Sequence, residues 1–103
     1  MEGFEKVAEA SEVPVGAVKV VKVGGTDVMV ANLGGKLYAI ANKCTHVGGP
    51  LGEGKLTGSV IECPWHRSKF EVKTGAVLSG PALRPEATFQ VTVEDSAVWV
   101  KKP

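Results

Sequence analysis

Five stretches of the chain alternate apolar and polar residues with a period near two: residues 17–23 (AVKVVKV), 27–33 (DVMVANL), 36–41 (KLYAIA), 88–94 (TFQVTVE) and 97–102 (AVWVKK). A strand points successive side chains to opposite faces, so this pattern, rich in valine, specifies strands with one apolar face rather than helices. Between paired stretches stand Gly24-Gly25, Gly34-Gly35 and Asp95-Ser96. These are residues that accept the backbone angles of tight hairpins, so three antiparallel hairpins are predicted. No stretch of ten residues keeps a helical period, although residues 11–17 (SEVPVGA) have room for one helical turn or a loop. The predicted class is therefore all-β, a small antiparallel sandwich or barrel rather than a βαβ arrangement.

Residues 42–80 differ in texture. They hold seven of the 13 glycines, both cysteines and both histidines, which reads as a loop-rich subdomain inserted between strands. At 103 residues the chain is expected to form one domain, residues 1–103, with a base of about 1–41 and 81–103 carrying the insert of about 42–80. Lys and Arg number 12 against 11 Asp and Glu, scattered without a block, so no nucleic-acid partner is implied. Residues 1–13 (MEGFEKVAEASEV) carry a charge every few positions, with no apolar core of a secretory signal, and no eighteen-residue apolar run follows. A soluble, cytoplasmic protein without a membrane anchor is expected, a monomer or weak oligomer. A reducing compartment disfavours a Cys44–Cys63 disulfide, and the histidine near each sulfur points to metal instead.

The four soft or borderline donors fall in two arms: Cys44-x-His46, then sixteen residues, then Cys63-x-x-His66. Thiolate with imidazole selects zinc, copper or iron over magnesium and calcium. A structural zinc site usually takes paired cysteines from one knuckle and paired histidines from another arm. Here each arm is mixed, which suits a two-metal centre, because each loop then sends its cysteine to one iron and its histidine to the other. Such ligation is that of a Rieske [2Fe-2S] centre. A zinc-stabilised β domain acting as a structural or binding module is the alternative.

The stretches CTHVGGPL (residues 44–51) and CPWHRSKF (63–70) resemble the two cluster-binding loops of Rieske iron–sulfur proteins, and SGPALRPEATFQVTVED (79–95) resembles the proline loop and returning strand of that family. The resemblance implies one [2Fe-2S] cluster, with Cys44 and Cys63 on the inner iron and His46 and His66 on the outer iron near the surface. It also implies a one-electron carrier with redox-protein partners, a reductase on one side and a terminal oxygenase or similar acceptor on the other. A small electron-transfer subunit of a larger oxidoreductase is a variant of the same reading. No histidine remains for a second metal site and no dinucleotide fingerprint is present, so the chain is expected not to be an enzyme.

High-potential members of the family resemble C-T-H-L-G-C and C-P-C-H-G-S, whose extra cysteines join the loops. Gly49 and Trp65 stand at those positions here, which places the chain with the ferredoxins that serve oxygenases. Ser68 matches the family serine that bonds a bridging sulfide, whereas Phe70 stands where a tyrosine hydroxyl would reach a cysteine sulfur. Hydrogen bonds to sulfur favour the reduced cluster, so a potential in the lower half of the roughly −150 to +300 mV Rieske range is expected. Trp65 is expected to cap the cluster edge or meet a partner, Trp99 to belong to the core, and Val47, Leu51 and Pro81 to form an apolar docking rim.

Overall fold

The computed structural model describes residues 3–43, 50–65, 67–80 and 84–101. Strands β2 (Val18–Val23), β3 (Thr26–Leu33) and β4 (Lys36–Ala41) form the first two predicted hairpins, with Val23 opposite Thr26 and Leu33 opposite Lys36. The third joins β10 (Val91–Glu94) to β11 (Ala97–Lys101), with Glu94 opposite Ala97. Its turn residues Asp95 and Ser96 both take positive φ, 53° and 63°, the requirement of a two-residue turn that matches strand twist. The short β9 (Thr88–Phe89) lies against β4 and completes a sheet of order β2-β3-β4-β9.

Two elements depart from the sequence pattern. Strand β1 (Phe4–Glu9) pairs along β11, from Phe4 opposite Lys101 to Glu9 opposite Ala97, and gives a sheet of order β1-β11-β10. Its register shifts between Lys6 and Ala8; the bulge breaks the period of two and hides the strand from an alternation search. Strand β3 is apolar on both sides. Val28 and Val30 pack with Val21, Val23, Val98 and Val100, whereas Met29 and Ala31 pack with Ile40, Ile61 and Phe70. The β2-β3-β4-β9 sheet is thus a wall between two apolar layers. Fully burying each of these larger side chains contributes about 1.5–3 kcal/mol.

The insert supplies the second layer, because it is itself a sheet. Strands β5 (Lys55–Thr57), β6 (Val60–Glu62), β7 (Lys69–Glu71) and β8 (Val77–Ser79) pair antiparallel in sequence order. Leu56, Ile61 and Phe70 stand opposite one another across the strands, with Val77 opposite Phe70, and this row faces the β2-β3-β4-β9 wall. Each strand is three residues long, too short for periodicity to declare it. Helical structure among the described residues is confined to two 3-10 turns, Ala10–Glu12 and Leu51–Glu53, and no helix there is long and apolar enough to cross a membrane.

Candidate metal centre

The second predicted ligand arm is the connection between β6 and β7. Cys63 ends the ladder of β6, and its N–H donates to the Ser68 carbonyl at 2.8 Å while its own carbonyl accepts from the Arg67 N–H at 3.0 Å. Those two bonds close a six-residue loop, and the fixed φ of Pro64 helps to start its turn. Arg67 completes the reversal at φ 61°, in the left-handed region that strains an L-residue. Cys63 is 0% exposed and packs with Leu51, Ile61, Phe70 and Val72, whereas Trp65 near the tip is 57% exposed. One side of the loop is therefore set in the apolar layer and its tip faces solvent.

Ser68 is also fully buried. The backbone of Gly80 lies so close to Ser68 that a Cβ on Gly80 would meet the Ser68 Cα, so the end of β8 is stacked on the ligand loop. This contact brings the beginning of the proline-loop segment against the second arm.

The first arm is held from its base. Asn42 is mostly buried; its N–H donates to the Asp27 carbonyl at 3.0 Å and its own carbonyl accepts from the Leu51 N–H at 2.7 Å. Its side-chain Oδ1 accepts from the Gly52 N–H at 2.7 Å, and Lys43 bridges to Pro50. These bonds clamp the two ends of residues 44–49. Leu51, whose N–H is part of this clamp, enters the same apolar cluster as Cys63, so the bases of both arms share one packed layer.

Of the four predicted ligands, Cys63 is placed as described, while Cys44, His46 and His66 lie outside the described residues. Val47 and Pro81 lie outside them as well, and Gly49 with them. Leu51 does not belong to an exposed rim: it is fully buried, because at the start of the 3-10 turn Leu51–Glu53 its side chain packs into the cluster of Cys63, Ile61 and Phe70. Phe70 is fully buried in the same cluster as Cys63. Trp99 sits on β11 only half-buried, with its indole N–H lacking a partner among the described residues. Asn42 carries no signal that the sequence pattern reveals, since the groups it clamps are about ten positions away.

A buried thiol and a buried hydroxyl, set five residues apart on one stapled loop and walled by aliphatic and aromatic carbon, fit an inorganic group that needs thiolate ligation and shelter from water. A protein thiol that merely fills a core needs no polar neighbour of this kind. Comparison with known proteins decides the family. The model of the Rieske [2Fe-2S] domain matches residues 3–97. The chain belongs to the Rieske [2Fe-2S] family.

Among its Rieske relatives, Ferredoxin CarAc of Metapseudomonas resinovorans is 40% identical over 96 residues, covering 92% of this chain and 90% of the relative. The ferredoxin component of the naphthalene 1,2-dioxygenase/salicylate 5-hydroxylase systems of Ralstonia sp is 37% identical over 90 residues, covering 87% and 86%. The solved ferredoxin of carbazole 1,9a-dioxygenase from Nocardioides aromaticivorans IC177 superposes with a TM-score of 0.94 at 32% identity, over 99% of this chain and 100% of that one. A chain in the complex of reduced oxygenase and oxidized ferredoxin in carbazole 1,9a-dioxygenase gives 0.90 at 37% identity, over 98% and 94%. As a Rieske domain the protein takes one [2Fe-2S] cluster as its cofactor.

Proposed function

We propose that the protein is a one-electron carrier of the ferredoxin type, passing electrons from a reductase to a terminal oxygenase, and that Cys44, His46, Cys63 and His66 hold its cluster. When bound, the cluster supplies reversible uptake of one electron. The chain supplies everything else. Cys63 presents its sulfur from a loop fixed at both ends by backbone hydrogen bonds, so its position changes little between redox states. Leu51, Ile61, Phe70 and Val72 keep water from that sulfur, and Phe70 offers it no hydroxyl. In this reading Cys44 would share one iron with Cys63, and His46 and His66 would hold the other as neutral imidazoles. The division into a cluster-binding part of about 42–80 and a base of about 1–41 and 81–103 is part of the proposal; the separate β5–β8 sheet supports it. The chain has no substrate site of its own in this role.

The observation that carries the reading is the full burial of Cys63 on a stapled loop that shares its apolar layer with the base of the first arm. The ferredoxin relatives of dioxygenase systems support the choice of partners. Its test is a reconstituted chain of a reductase, the holoprotein and the terminal oxygenase of carbazole 1,9a-dioxygenase. Oxygenase reduction should depend on the holoprotein and stop with Cys63→Ser; reduction at an unchanged rate in its absence would remove the carrier role.

A further inference from the structure

Residues 51–54 (LGEG) hold two glycines two positions apart. Neither serves a turn that needs positive φ: Gly54 has φ −83°, and Gly52 is not left-handed either. What both lack is room for a side chain. A Cβ on Gly52 would meet the Val20 side chain of β2 and the Asn42 Oδ1, and a Cβ on Gly54 would meet the Glu62 carbonyl of β6. The 3-10 turn Leu51–Glu53 is therefore wedged, with one glycine against the wall and the next against the strand that leads into Cys63.

Hydrogen bonds tie the same turn to the base of the first predicted arm. The Leu51 N–H donates to the Asn42 carbonyl and the Gly52 N–H to the Asn42 Oδ1, both at 2.7 Å. The Gly54 N–H donates to the Leu51 carbonyl at 2.9 Å, and Asn42 is itself fixed to β3 by its N–H on the Asp27 carbonyl at 3.0 Å. Contact is thus unbroken from Asn42, two residues before Cys44, to Glu62, the residue before Cys63. The buried Leu51 side chain reinforces it by packing with Cys63. Two arms separated by sixteen residues of sequence are joined by one four-residue strut.

We propose that residues 51–54 are a spacer that sets the separation of the two arms, with Asn42 and Gly54 as the positioning residues at its ends; the inference rests on the ligand assignment proposed above. A centre shared by two arms is held firmly only when both present their donors in a fixed geometry, because donors that must first be brought together give up affinity. Residues that orient ligands without being ligands typically contribute about 10–100-fold to metal affinity. Asn42→Ala removes the acceptor of the Gly52 N–H and frees one end of the strut. Gly54→Ala pushes the turn off Glu62 and alters the spacing at the other.

The test follows loss of the [2Fe-2S] chromophore from the holoprotein in excess bathophenanthroline disulfonate, an iron chelator, and records the EPR spectrum of the reduced protein. The variants are Asn42→Ala, Asn42→Asp and Gly54→Ala, with Val98→Ala as the control, which opens a cavity in the other apolar layer. Asn42→Ala and Gly54→Ala should release the cluster about tenfold faster than Val98→Ala, and Gly54→Ala should displace the g-values that Val98→Ala leaves unchanged. Asn42→Asp, whose carboxylate still accepts from the Gly52 N–H, should return release to within about twofold of wild type. Release from Asn42→Ala no faster than from Val98→Ala, or from Asn42→Asp as fast as from Asn42→Ala, would overturn the proposal, as would unchanged g-values in a folded Gly54→Ala protein. If Gly54→Ala does not fold, the Asn42 pair decides alone. A wild type that assembles no [2Fe-2S] cluster, or one without histidine ligation, removes the ligand assignment and the spacer with it; normal assembly with variants that behave like the control removes only the spacer.

Discussion

The β2-β3-β4-β9 wall and the β5–β8 sheet share an apolar layer but are built by different means. Apart from the two-residue β9, the wall uses strands of six to eight residues joined by two-residue turns, so the register of β2, β3 and β4 is set locally. The β5–β8 strands are three residues each, and what holds them is contact with the segments around them. The glycines show the contrast. Gly25 turns the β2–β3 hairpin at φ 84° in open space, where only its backbone freedom matters. Gly54 has an ordinary φ of −83°, but a Cβ there would collide with the Glu62 carbonyl, so what matters is its lack of volume. The wall's hairpins set their own register, while the short strands of the β5–β8 sheet depend on close approach between segments.

Removing the thiolate should separate the two regions most sharply. Metal affinity contributes directly to folding free energy where the site does not preexist. Cys63→Ser should abolish the iron–sulfur chromophore and speed amide exchange in β5–β8 by about a hundredfold, the equivalent of a few kcal/mol, with β3 little changed. Uniform loss of protection in hydrogen-exchange mass spectrometry would show one cooperative unit instead. Gly54→Ala should cost about 2–3 kcal/mol by overpacking, against about 1 kcal/mol for Gly25→Ala from backbone strain alone; equal costs in urea titrations would erase the distinction. Asn42→Ala leaves the Gly52 N–H without its acceptor and should cost about 1–2 kcal/mol, read as faster exchange at Leu51 and Gly52 rather than in β3.

Two smaller effects sharpen the picture at the loop itself. Phe70→Tyr should raise the midpoint potential by about 20–60 mV if its hydroxyl reaches a sulfur, the equivalent of one net hydrogen bond of about 0.5–1.5 kcal/mol. A hydroxyl left unpaired in that layer would instead lower stability at constant potential. Arg67→Gly should stabilise by about 1 kcal/mol through relief of its positive φ, since the exposed pair with Glu62 at 3.9 Å contributes little. A loss of stability on thermal unfolding would mean that the guanidinium makes a stronger contact than this geometry implies.

The parts of the fold legible in the sequence are those whose information is local. The hairpins β2–β3, β3–β4 and β10–β11 follow from alternating residues with glycine pairs or Asp95-Ser96 between them. Strand β1 was hidden by its bulge, and the two-faced burial of Val28 to Ala31 emerges only once another sheet covers the second side. The insert reads as loop because three-residue strands carry no period. At the site, residue chemistry and spacing single out two candidate ligand arms, since cysteine and histidine are rare enough here to be informative. Leu51 is buried rather than exposed: an apolar residue among glycine and proline only resembles a loop tip, and its inward turn goes with the bonds made by Asn42. Those bonds depend on chain reversal, which spacing does not encode.

The central claim is a [2Fe-2S] centre with two thiolate and two imidazole ligands, and its most direct test is pulsed EPR of the reduced protein with its histidines labelled with nitrogen-15. The expected result is a one-electron paramagnetic signal with coupling to two histidine nitrogens, losing one coupling in His46→Cys or in His66→Cys. A colourless protein containing zinc, or a reduced cluster without histidine coupling, would contradict it.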